Sequence, residues 1–319
     1  MRELPLTELH QMTDGDEVFG VIVRSYGLHF DVSTEFGLLR CTLRGMLKRE
    51  RRKTDPAAVG DKVRATLNTP DSDPPQGVIE EILPRVRSLS RLARGSSDSE
   101  QVILANPDQL VAVFSIRDPE PHPRAIDRLL LLAEARGIDA IICVNKVDLA
   151  DLPEIDAFFE PFRMAGYPVI PTSALQGIGI DDLRALLKGK ITAFAGPSGV
   201  GKSSLLNRII PDMEDRTGDI SGATGKGKHT TTWTTLFQID DNTFVADTPG
   251  MRQLGLWGID YDNLDDLFPE FRPYLNECYY ADCRHLEEPD CAVLEAVATG
   301  TIHPDRYDSY RRLLSGDAE

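Results

Sequence analysis

Residues 145–148 read Asn145-Lys146-Val147-Asp148, and residues 196–203 read Gly196-Pro197-Ser198-Gly199-Val200-Gly201-Lys202-Ser203. The first stretch has the form Asn-Lys-x-Asp, which contacts guanine. The second has the form Gly-x4-Gly-Lys-Ser, which cradles phosphates. Chains that carry both usually place the phosphate loop first. Here the base reader comes first, so the domain is read as cut and rejoined at a new point, with its core intact.

Working outward, the chain alternates strand and helix from Gln109 on. Residues 110–116 (LVAVFSI) form the apolar run of a buried parallel strand. Residues 124–136 have helical periodicity, and Gly137 suits the position just past a helix end. Further strands are expected at 138–144, 167–171 and 191–195, with helices at 153–165 and 181–187 and another opening at Lys202. Strands return at 235–239 and 243–246. This is the pattern of a doubly wound α/β domain.

The phosphate loop follows an expected strand and opens an expected helix, the context its chemistry requires. Its glycines admit backbone N–H groups to the phosphates, and the helix N-terminus adds positive potential. Lys202 is expected at the β- and γ-phosphates, Ser203 on Mg²⁺ and Ser204 at the α-phosphate. Asp148 can accept from guanine N1–H and the 2-amino group, a donor pair adenine lacks. Asn145 supports the loop and the base edge, and the stem of Lys146 packs on the ring. Thr172-Ser173-Ala174 follows the next strand and suits the loop whose N–H meets guanine O6.

Asp247-Thr248-Pro249-Gly250 ends another strand. Asp247 is expected to hold Mg²⁺ through water, and the Gly250 N–H to sense the γ-phosphate. Residues 216–232 (RTGDISGATGKGKHTTT) hold four glycines and almost no large apolar side chain, so they cannot bury a core face. One threonine of Thr230-Thr231-Thr232, with Thr231 the first choice, is expected to complete the Mg²⁺ shell. Met251 stands where a water-orienting glutamine would serve, and a thioether cannot orient water. His229 is then the candidate that positions the attacking water. Its alternative role is contact with phosphate or RNA.

Cys278-x4-Cys283-x-His285-x5-Cys291 offers three thiolates and one imidazole, a set that suits tetrahedral Zn²⁺ with no position left open. A structural ion is expected there, standing in for a core this polar segment lacks. Cys41 and Cys143 stand alone, and five cysteines without a secretion signal argue against a disulfide framework.

Residues 16–84 read as short strands punctuated by Gly27, Gly37, Gly45 and Gly60, as in a five-stranded oligonucleotide-binding barrel. Residues 40–53 (RCTLRGMLKRERRK) carry seven basic side chains against Glu50 alone. They suit a phosphate backbone, or else form a plain solvated loop. Phe19, Tyr26, Phe30 and Phe36 are candidates for base stacking, though core packing is expected for most of them. Residues 85–99 (RVRSLSRLARGSSDS) read as a basic, then Ser-rich, linker.

The chain has 319 residues and a net charge of −16. Residues 1–97 hold 15 Lys/Arg and 14 Asp/Glu, while the remainder holds 20 and 37. That total argues against simple RNA coating and leaves room for a local basic patch. No apolar run approaches the roughly 18 residues of a membrane span, and the start lacks an apolar leader core. A soluble cytoplasmic protein is expected, with no membrane partner.

In this order, the base reader, Thr-Ser-Ala, the phosphate loop, Gly-Lys-His-Thr-Thr-Thr and Asp-Thr-Pro-Gly resemble the circularly permuted, small-ribosomal-subunit-dependent GTPases of ribosome biogenesis. The resemblance spans nearly the whole chain. It implies a multidomain architecture: an OB-fold barrel (1–86), a linker (87–100), a circularly permuted P-loop α/β GTPase domain (101–253) and a helical zinc-binding domain (254–319). It also implies a cytoplasmic monomer with GTP/GDP, Mg²⁺ and one Zn²⁺ per chain. The small subunit and its rRNA would be partners, and slow hydrolysis would be stimulated by that subunit late in maturation. Lys228 stands where the family usually has Arg before His229, and the acidic C-terminal part is a larger departure. Arg117 or Lys228 could supply charge to the transition state. The competing reading is a GTP-sensing RNA-binding scaffold with negligible turnover. A small-molecule kinase is disfavoured by the guanine reader and the switch threonines. Because the γ-phosphate sensor at Gly250 leads straight into the zinc segment, that segment is expected to shift with hydrolysis more than the barrel does.

Overall fold

The computed structural model describes residues 9, 12–45, 56–92, 100–210, 234–240, 242–247 and 261–316. The chain divides into two compact units. One comprises Met1–Asp108, Leu187–Phe194 and Ile209–Gly255; the other comprises Gln109–Leu186, Ala195–Arg208 and Leu256–Glu319.

The first unit opens with the barrel: β1 (Glu17–Tyr26), β2 (His29–Thr34), β3 (Gly37–Leu43), β4 (Lys62–Thr69) and β5 (Gln76–Ile82). They close in the order β1-β2-β3-β5-β4, as the five-stranded reading expected. Period-two alternation builds the wall: Val63, Ala65 and Leu67 of β4 point into the core, and Lys62 and Arg64 point away from it. Phe30 joins that core, whereas Phe19 (63% exposed) and Tyr26 (43%) stand outside it.

The segment read as a linker carries regular structure. β6 (Ser88–Leu92) pairs antiparallel with β7 (Glu100–Ala105). Leu89 lies opposite Leu104, and both are fully buried. Arginines and serines masked this alternation in the sequence. Arg85 also grips the buried Asp61 carboxylate through two bonds of 2.7 and 2.8 Å, so the end of the barrel is anchored.

The same unit holds β11 (Ile191–Ala195) as far as Phe194, with β12 (Thr235–Asp240) and β13 (Thr243–Asp247). β11 runs parallel to β13, and β12 returns antiparallel on the other side of β13. The barrel meets β12 through Ser33, whose Oγ donates to Gln238 Oε1 at 2.8 Å.

In the second unit β8 (Gln109–Ser115), β9 (Asp139–Asn145) and β10 (Val169–Pro171) are parallel in the order β10-β9-β8. Every residue of β8 is buried, as its unbroken apolar run requires. α1 (Pro123–Ala135) and α2 (Leu152–Met164) are the crossover helices. α2 starts where Asp151 caps the Glu154 N–H and Pro153 occupies the first turn. α3 (Ile180–Leu187) and α4 (Lys202–Ile209) follow.

The C-terminal part consists of two short 3₁₀ turns (Tyr261–Asn263 and Asp265–Leu267), α5 (Ala292–Ala298) and α6 (Pro304–Leu314). Its core of Phe268, Phe271, Val293, Ile302 and Tyr310 includes Leu131 of α1. Arg306, only 2% exposed, is paired with Asp127 of α1 and with Glu270 at 2.6 Å. Its guanidinium lies 4.8 Å from the Phe268 ring centroid. Burial raises the Asp127 pKa, an effect that Arg306 and Ser309 oppose.

Candidate functional site

The strand ends of the second unit position the candidate base-reading residues. β9 ends at Asn145, and Lys146 adopts the left-handed conformation (φ 62°, ψ 35°) that turns the chain into the Val147–Leu149 turn. Asn145 is 2% exposed. Its Nδ2 donates to the Val200 carbonyl at 2.8 Å, and its Oδ1 accepts from the Ala174 N–H at 3.1 Å and from Thr172 Oγ1 at 3.4 Å. One amide therefore ties together the base reader, the Thr172-Ser173-Ala174 loop and the phosphate loop. Asn145 is expected to support the loop and the base edge; its grip on Val200 of the phosphate loop is additional.

Asp148 is half-buried, and its Oδ1 accepts from Ser173 Oγ. That leaves carboxylate acceptor capacity for a base edge. The Ser173 loop is closed by its own hydrogen bonds: Ser173 N–H to Ile178 O at 3.0 Å and Gln176 N–H to Ser173 Oγ at 3.1 Å. Arg208 of α4 secures it further, donating to Ala174 O at 2.9 Å and Leu175 O at 3.1 Å. Lys146 Nζ donates to the Asp118 carbonyl on the loop that follows β8.

The phosphate loop spans the turn between β11 and α4. Gly201 has φ +92°, and a Cβ there would lie 2.3 Å from Asn145 Nδ2. Gly196 has φ +155°, and a Cβ would meet the Val113 carbonyl at 2.0 Å. Only glycine lets the loop lie this close to two neighbouring strand ends. Lys202 Nζ donates to the carbonyls of Gly196 and Pro197, each at 2.8 Å, so its ammonium stands over the loop. Ser203 and Ser204 face solvent from the first turn of α4, where the positive end of the helix favours an anion. In the first unit Asp247 pairs in register with Phe194, two residues before Gly196 in the chain. Val200 is buried, while Ser198 and Gly199 are exposed.

His229, Thr230, Thr231, Thr232, Lys228, Gly250 and Met251 lie outside the described residues, as do Arg49, Arg51 and Arg52 of the basic stretch. Arg117, a candidate for transition-state charge, is paired with Glu154 and lies 3.7 Å from Glu120.

The ligand atoms of Cys278, Cys283, His285 and Cys291 all lie within 4.8 Å of one another. Zn–S bonds of about 2.3 Å and Zn–N bonds of about 2.0–2.1 Å in a tetrahedron place sulfurs about 3.8 Å apart and S and N about 3.5 Å apart. The observed separations are 3.9 Å for Cys278–Cys291, 3.6 Å for Cys278–His285 and 3.4 Å for His285–Cys291. The donor set thus fits zinc. His285 presents Nδ1 to the thiols and Nε2 to Asp265 Oδ2 at 3.4 Å, the carboxylate–imidazole arrangement that orients a ligand. Asp265 carries no local signal in the sequence, being 20 residues upstream.

Burial and the neighbouring thiols push Cys283 up to about 12. In contrast, the loop cradles Glu288: burial opposes ionisation, but backbone N–H groups from Arg284, Leu286 and Glu287 hold it down to about 2. Cys41 and Cys143 are buried in strands and pushed up to about 12, as suits inert core thiols.

A family model described as RsgA GTPase matches residues 82–257. The small ribosomal subunit biogenesis GTPase RsgA of Gemmatimonas aurantiaca is 43% identical over 296 residues, covering 92% of this chain and 95% of that protein. The protein of the same name from Chlorobaculum tepidum is 40% identical over 306 residues, covering 94% and 98%. Among solved structures, YjeQ from Thermotoga maritima superposes with a TM-score of 0.75 at 34% identity, covering 94% of this chain and 98% of that one. YloQ, a circularly permuted GTPase, also gives a TM-score of 0.75, at 30% identity over 94% of this chain and 95% of that one.

Proposed function

The chain belongs to the RsgA GTPase family, and from that premise we propose that it hydrolyses GTP as a checkpoint in late maturation of the small ribosomal subunit. The observation that carries this reading is the Asn145–Val200 bond, which joins the base reader to the phosphate loop.

Guanine would be held by Asp148, with Ser173 fixing that carboxylate and the Ala174 N–H side of the loop facing O6. The stem of Lys146 would cover the ring. Backbone N–H groups of residues 196–204 would receive the phosphates, and Lys202 would exchange its two loop carbonyls for β- and γ-phosphate oxygens. Ser203, Asp247 and Thr231 would hold magnesium, which when bound neutralises charge on the transferring phosphoryl group. Gly250 would sense the γ-phosphate and His229 would position the attacking water. Cys278, Cys283, His285 and Cys291 would hold one zinc ion as a structural cross-link, with Asp265 steering His285.

In this reading the GTP form binds the small subunit and its rRNA, the basic stretch at 40–53 contacts phosphate backbone, and hydrolysis releases the factor. The protein would act as a cytoplasmic monomer. The test is GTP turnover titrated with mature and immature small subunits. Stimulated turnover supports the checkpoint. Subunit binding with no turnover would instead mark a GTP-sensing scaffold.

A further inference from the structure

We propose that Tyr26 and Arg40, held by the buried Asp31 carboxylate, form a platform on the barrel for one unpaired RNA base and its adjoining phosphate. This rests on the proposed engagement of ribosomal RNA and joins Arg40, the first residue of the basic stretch at 40–53, to a stacking side chain.

Asp31 is 1% exposed, a costly place for a charge. Both of its partners are at the surface. It accepts from the Tyr26 hydroxyl and, at 3.1 Å, from Arg40 Nε. Tyr26 stays 43% exposed and the Arg40 side chain 41% exposed. The Arg40 guanidinium lies 5.8 Å from the Tyr26 ring centroid, backing the ring. A buried carboxylate that orients two exposed side chains adds little to a core. It removes the rotamer freedom those side chains would otherwise lose on binding.

The surroundings fit the same occupant. Tyr26 ends β1 at the two-residue Gly27-Leu28 turn, and Leu28 is 66% exposed. Arg24 lies close enough to act electrostatically on the phenol. An aromatic face beside guanidinium groups takes a nucleobase by stacking and a phosphate by fork-shaped hydrogen bonding. A Lys/Arg-rich protein segment would meet like charge here. The barrel part of the chain also lacks the negative excess of the remainder, so an RNA strand approaches it without that repulsion.

The experiment uses the full chain and a short single-stranded RNA carrying one 2-aminopurine, alongside binding to purified small subunits. Wild type is expected to bind the oligonucleotide and quench its fluorescence. Tyr26→Ala should lose the quenching and weaken binding about 5- to 150-fold, the range for one stacked base. Tyr26→Phe keeps the ring but not its tether to Asp31, and should fall between the two. Arg40→Lys keeps charge but not planarity and should also weaken binding. Unchanged GTP affinity in each variant verifies folding. Undiminished quenching and affinity in Tyr26→Ala overturns the proposal, while wild-type binding to subunits would leave the broader reading intact. Loss of subunit binding in Tyr26→Ala with the oligonucleotide unaffected would make the platform a protein contact, and also overturns it.

Discussion

The Asn145 side-chain amide donates to the Val200 carbonyl at 2.8 Å while its oxygen accepts from the Ala174 N–H at 3.1 Å. A base-contacting loop and a phosphate-contacting loop therefore share one buried polar side chain. Removing it strands a buried carbonyl and a buried N–H, at about 1–3 kcal/mol each. Asn145→Ala should weaken GTP binding by about 10- to 100-fold with little change in the far-UV spectrum. Titration with a fluorescent GTP analogue measures this. Affinity within two-fold of wild type would show that the loops hold each other without the amide.

Gly201 tests the same junction from the other side. Its φ of +92° and the 2.3 Å approach of Asn145 Nδ2 leave no space for a methyl group. Gly201→Ala should displace the Asn145 amide and cost about 1–3 kcal/mol in stability, as overpacking does. Nucleotide binding should be lost before the fold is. The exposed Ser198, replaced by Ala, is the matched control within the loop, and calorimetry with GDP separates the two.

The thiol cluster sets a pH dependence. Because Cys283 without a cation is raised to about 12, it is protonated throughout the neutral range, and a metal must displace that proton. Apparent zinc affinity should therefore rise with pH and fall with acidification, about tenfold per pH unit for each proton released. Competition with a chromogenic chelator between pH 6 and 8 reads this slope. A flat profile would mean that the thiols are already ionised in the metal-free protein. Asp265→Ala should weaken zinc about 10- to 100-fold, since it frees the His285 ring.

Arg306 bears on how the zinc-bearing segment moves. It is buried between Asp127 of α1 and Glu270, and Ser309 also donates to Asp127. Arg306→Ala would leave two buried carboxylates without their cation and should cost about 3–5 kcal/mol. Thermal melting measures that loss. The anchor also sharpens the expected nucleotide-linked shift: the segment should move together with α1, not as a separate flap. Spin labels at the exposed Arg128 and Ser315 should keep one separation in the GTP-analogue and GDP states. A changed separation would show that the anchor releases.

What this chain carries in its sequence is the chemistry that local geometry dictates. Gly196–Ser203 must be glycine-rich wherever a backbone approaches phosphates, and Cys278, Cys283, His285 and Cys291 lie close enough along the chain to meet around one ion. The parallel strands were legible because burial on both faces leaves an unbroken apolar run, as in residues 110–116. The reversed motif order announced the permutation. Tertiary structure alone decided the rest. Asn145 reaches Val200 across 55 residues, Arg306 reaches Asp127 across 179, and Asp265 reaches His285 across 20. Leu89 paired with Leu104 placed a strand inside an apparent linker. The Asp31 carboxylate that fixes Tyr26 and Arg40 looked, in the sequence, like any acid on a strand. Each is a polar or apolar partner chosen by folding, and partners distant in sequence leave no spacing to read: their meeting depends on how strands and helices pack.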